Sequence, residues 1–76
     1  MNNFHNCLEE KEIKLGETSK LVFQVKIVEG KEQLDVRKWI LYPNASDFVS
    51  SKKGLQLNFQ KWTEAIEQIK SLIKEA

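Results

Sequence analysis

From Leu21 to Val28 apolar and polar residues alternate, which is the period of an extended strand. Leu21, Phe23, Val25 and Ile27 fall on one side, and Val22, Gln24, Lys26 and Val28 on the other. Glu29-Gly30 is a turn signal, and Glu32 to Tyr42 repeats the pattern, with Leu34, Val36 and Ile40 on one face and Gln33, Asp35, Arg37 and Trp39 opposite. A two-residue loop at Glu29-Gly30 fixes the register. It sets Val25 against Leu34 and Phe23 against Val36 on one face. On the other it sets Lys26 against Gln33, Gln24 against Asp35, and Val22 against Arg37. A slip of one residue would place each large aliphatic opposite a polar group, so the pattern predicts this hairpin and no neighbouring register.

The flanks are weaker. Glu12-Ile13-Lys14-Leu15 alternates as a short first strand stopped by Gly16, and Leu55-Gln56-Leu57 reads as a short fourth strand. Pro43 to Ser51 is rich in turn formers, with Phe48 as the anchor of a loop. Asn58 is a good helix N-cap, and beyond it Trp62, Ala65, Ile66, Ile69, Leu72 and Ile73 recur at helical spacing. Residues 1–11 show no period and predict a flexible N-terminal tail; residues 12–76 form a single domain. The expected fold class is α+β: a four-stranded antiparallel sheet followed by one C-terminal amphipathic helix. That helix is the only element able to cover the hairpin's apolar face.

Length and cysteine usage change this picture in one respect. A chain of 76 residues buries only about 60% of its unfolded surface and needs added stabilisation. Cys7 is the sole cysteine, and with His5 it is the only soft ligand, so one subunit holds neither a disulfide nor a tetrahedral Cys/His metal site. Oligomerisation remains, by elimination. No metal and no cofactor are expected. A free thiol without an apolar export segment predicts a cytoplasmic, intracellular location, the nucleoid included. The apolar stretch around Trp39 to Tyr42 is too short to cross a bilayer, so no membrane partner is expected. There is no Ser–His–Asp set, no glycine-rich phosphate loop and no flanking pair of carboxylates, so the chain does not read as an enzyme.

The formal net charge is +1, from 12 basic and 11 acidic residues. A nucleic-acid binder with that balance must segregate its cations on one face. The polar hairpin face offers Lys26 and Arg37 beside Gln24, Gln33 and Trp39, with Asp35 as its acid. Lys20 continues the face, and Lys14 does so if the first strand pairs as its alternation suggests. Lys52 and Lys53 follow in the loop before the fourth strand. Cations beside an exposed ring suit single strands, since phosphates meet the charges and a base stacks for roughly 1–3 kcal/mol. The bland alternatives are a solvated sheet face, a Trp39 half-buried in the sheet, and a soluble Lys52-Lys53 loop.

The run Gly30-Lys31-Glu32-Gln33-Leu34-Asp35-Val36-Arg37-Lys38-Trp39, then Lys52-Lys53-Gly54-Leu55-Gln56-Leu57, then Trp62, resembles the core signature of the positive cofactor 4 transcriptional coactivator family. The resemblance spans Ile13 to the C-terminus. It implies a homodimer joined through the helices, with curved sheets that grip single-stranded DNA. It also implies nucleic-acid contacts from Lys26, Arg37, Trp39, Lys52 and Lys53. Ile13 and Ile40 stand where some members carry aromatic rings, and Ser50-Ser51 replaces Pro/Gly before Lys52. The expected partners are single-stranded DNA or RNA, a second copy of the chain and the transcription machinery, in a transcription, replication or repair setting. The alternative is a protein-interaction module that kept the fold and lost nucleic-acid binding.

Overall fold

The computed structural model describes residues 7–74; His5 lies outside them. The chain order is β1 (Cys7–Lys14), β2 (Ser19–Val28), β3 (Lys31–Ile40), β4 (Val49–Asn58) and α1 (Phe59–Ile73). The four strands form one antiparallel sheet in sequence order. The expected α+β arrangement of four strands and a C-terminal helix is therefore the observed one.

The central hairpin has the predicted register at every named pair: Val25 with Leu34, Phe23 with Val36, Lys26 with Gln33, Gln24 with Asp35, and Val22 with Arg37. Its turn explains why. Glu29 has φ 52° and Gly30 φ 80°, and a two-residue hairpin with both central residues left-handed matches the twist of its strands. Glycine adopts that conformation freely, whereas Glu29 does so at a cost of about 1 kcal/mol.

Three sequence expectations are corrected. The flexible tail does not extend to residue 11, because Cys7 to Lys11 belong to β1, which pairs with β2 through a bulge between Cys7 and Glu9. Backbone pairing along an exposed edge holds a strand there without an apolar pattern. Second, β4 is ten residues long, not three, and Lys52 and Lys53 lie inside it. Third, α1 does not seal the apolar face. It approaches only β3 and β4, anchored where the Trp62 indole N–H donates to the Leu34 carbonyl at 2.7 Å. Phe23, Val25 and Leu34 remain the floor of an open groove edged by Glu9, Lys11 and Ile13 of β1.

The helix begins as its sequence predicts, with the Asn58 side chain accepting from the Lys61 amide at 2.8 Å. Only Trp62 and Ala65 along it are half-buried. Ile66, Ile69, Leu72 and Ile73 are exposed, Leu72 at 84%. Among the described residues, Val22 at 2% exposure is the one buried hydrophobic side chain. No helix among them is long and apolar enough to cross a membrane.

Candidate functional site

Strand pairing places Lys14 opposite Lys20, Lys20 opposite Trp39, and Lys26 opposite Gln33, all on the face that carries Arg37. Five of the seven proposed nucleic-acid residues (Lys14, Lys20, Lys26, Arg37 and Trp39) thus share one face. The same register brings Glu10 and Glu12 onto it, opposite Gln24 and Val22. The face is therefore largely neutralised from within. Lys20 is paired with Glu12 at 2.9 Å, and Gln24 donates to Glu10 at 2.8 Å. The Lys20 amine also stands 5.8 Å from the Trp39 ring centroid and 4.6 Å from that of Phe48. Trp39 is half-buried beneath it, and its indole N–H is buried without a partner among the described residues.

Asp35 is the hub of this face. Its side chain is 1% exposed, and its two oxygens accept three contacts from Arg37: Nε at 3.2 and 2.9 Å, and Nη2 at 2.8 Å. Lys26 adds a fourth at 3.3 Å. Burial alone pushes the Asp35 carboxyl up, but the hydrogen bonds and charges of Arg37 and Lys26 together outweigh it and hold the group below the ordinary carboxylate range. The same hydrogen bond raises the Arg37 guanidinium above its usual value. A carboxyl depressed in the folded state contributes stability above its unfolded pKa and loses it as pH falls through the folded one. The thermal midpoint should therefore hold from neutrality to about pH 5 and fall below it. In Asp35→Asn that part of the acid limb should be missing from a thermal scan series.

Lys52 and Lys53 belong to a different surface. Arg37 pairs with Gly54 and Trp39 with Ser50, so Ser51, Lys52 and Lys53 stand opposite Lys38 alone, and β4 bulges there. The bulge is closed by the Ser51 hydroxyl donating to the Lys53 carbonyl at 3.1 Å. It forms one wall of a cleft of about 570 Å³ lined by Lys38, Ile40, Tyr42 and Ser50 to Lys53. Lys38 and Ile40 alternate with Arg37 and Trp39, so this cleft opens on the opposite side of the sheet from the Asp35 hub. Its lining carries three lysines and no acid. Among the described residues none of the three makes an ion pair, and Tyr42 is exposed beside them.

Lys38 and Tyr42 were not legible as site residues from the polar hairpin face, which they leave by alternation. The available signal was the phase of positions 38, 40 and 42 relative to Arg37. Ile13, paired with Leu21, and Ile40, paired with Ser19, both lie on the side away from Arg37. Among the described residues no cluster of three or more potential metal ligands occurs.

No protein-family model matches the chain, and no curated protein sequence matches it. Among solved structures, the crystal structure of a PC4 homolog from Burkholderia pseudomallei is similar over 99% of this chain and 100% of that one, with a TM-score of 0.78 at 15% sequence identity. The two chains share a fold.

Proposed function

We propose that the chain binds single-stranded nucleic acid, largely without regard to sequence, and that the cleft between β3 and the β4 bulge is the principal contact. The observation that carries this reading is the lysine cleft. Three ammonium groups free of ion pairs and one exposed phenol ring converge with no carboxylate among them. Unpaired lysines release counterions when they meet phosphate, and a tyrosine face accepts a stacked base of any identity. The paired cations on the other face, Lys20, Lys26 and Arg37, have their charge already committed to Glu12 and Asp35. Lys14 makes no ion pair among the described residues and adds a free cation there. The resemblance to the positive cofactor 4 family and the fold shared with a PC4 homolog support the reading and suggest a role in transcription, replication or repair.

The working form is a homodimer. A single buried hydrophobic residue among the described residues is too small a core for a chain of this length, and the exposed helix stripe is the surface a second copy would cover. The neutralised Asp35 face favours a second reading, a protein-docking module, and one substitution pair separates the two. Lys52→Ala/Lys53→Ala should weaken binding of a labelled oligo-dT by roughly tenfold to a hundredfold, while Lys70→Ala/Lys74→Ala, in the last turn of the helix and at its C-cap, leaves it within about twofold. Equal losses from both pairs would reduce the interaction to bulk charge and refute the cleft as the contact.

A further inference from the structure

Arg37 spends its guanidinium in two directions. Nε and Nη2 grip the buried Asp35 carboxylate, and Nη1 reaches across to donate to the Ser51 carbonyl at 3.2 Å. Ser51 is the first residue of the β4 bulge. The side chain crosses the strand at Gly54, where a Cβ would come within 2.5 Å of the Arg37 Cβ, 2.6 Å of its Nε and 2.7 Å of its Cζ. Only glycine leaves room for that path. Within the bulge the Ser51 hydroxyl donates to the Lys53 carbonyl at 3.1 Å.

We infer that Asp35 is a positioning residue for the lysine cleft: through Arg37 it braces, from the opposite face of the sheet, the bulge that presents Lys52 and Lys53. This rests on the cleft being the nucleic-acid contact. It assigns Arg37 a role other than direct phosphate binding, because the planar fork is already engaged at both ends. It also gives the acid on the hairpin face a purpose that its charge opposes. As a charge, Asp35 repels phosphate; as a brace, it promotes phosphate binding.

That opposition makes the test one of sign. Asp35→Asn removes one negative charge, so electrostatics alone would tighten oligo-dT binding. The brace predicts weakening of roughly tenfold, the effect of losing about one charge-assisted contact. Backbone order parameters measured by ¹⁵N relaxation on the free protein give a readout independent of ligand. At Ser51 to Lys53 they should fall from rigid values of about 0.85 to below about 0.6, while β2 stays rigid. A merely structural role would loosen all strands together.

Arg37→Lys guards against a folding failure of the Asp35 variant. It keeps the charge and the pairing with Asp35, but one ammonium group cannot hold both Asp35 and Ser51, so the same local loosening and weakening are expected. A rigid bulge in both variants, or tighter binding by Asp35→Asn, overturns the inference. A bulge that loosens as described in a chain whose wild type ignores oligo-dT would uphold the brace and remove the nucleic-acid reading instead.

Discussion

Trp62→Ala should remove about 3 kcal/mol of the fold's stability, a quarter of the total or more. Trp62 joins the helix to the sheet twice over, by packing its half-buried ring and by donating its indole N–H to the Leu34 carbonyl at 2.7 Å. Truncation of a tryptophan costs about 3–5 kcal/mol where the ring is fully buried, so about 3 kcal/mol is expected here. The lost hydrogen bond contributes about 1 kcal/mol of that loss. A domain of this size has a total stability of roughly 4–11 kcal/mol. Urea unfolding followed by far-ultraviolet circular dichroism should show the midpoint fall in proportion. Trp62→Phe, which keeps a ring and loses only the bond, should lose about 1 kcal/mol. An unchanged midpoint in Trp62→Ala would mean that α1 is not held by this contact.

The second large effect concerns association. Ile66, Ile69, Leu72 and Ile73 form an exposed apolar stripe along a helix whose contacts with its own sheet are few. The groove floored by Phe23, Val25 and Leu34 is open as well. Apolar surface of this kind on so small a chain is stable in water when a second copy covers it. Ile69→Glu sets a charge in the middle of the stripe, where burial without a partner is strongly unfavourable. Sedimentation at micromolar concentration should show a wild-type dimer and an Ile69→Glu monomer, a shift in dissociation constant of at least roughly a hundredfold. A monomeric wild type would undo the dimer argument directly.

How much of this was legible in the sequence differed by element, and for physical reasons. The β2–β3 hairpin could be read pair by pair because both strands alternate and the two-residue turn admits one register. The full length of the first strand is not legible because Glu9-Glu10-Lys11-Glu12 has no apolar alternation; its position is set by backbone pairing to β2. The fourth reads as shorter than it is because Ser50-Ser51-Lys52-Lys53-Gly54 has the composition of a turn, and a bulged edge strand uses the same residues. The candidate site was half visible. Alternation put Lys14, Lys20, Lys26, Arg37 and Trp39 on one face, but Glu10 and Glu12 join them only once the register of β1 is known. Asp35, which reads as one stray acid among cations, is the buried group on which Arg37 and Lys26 converge.

The proposal that the cleft is the nucleic-acid contact is tested most directly by fluorescence anisotropy of labelled oligo-dT across a salt series. Each single-strand phosphate neutralised contributes about −0.7 to the slope of log affinity against log salt. Engagement of Lys38, Lys52 and Lys53 therefore predicts a slope of about −2 or steeper per cleft, and Lys52→Ala/Lys53→Ala should flatten it by about 1.4. A wild-type slope near zero, or a steep slope indifferent to that double substitution, would contradict the account.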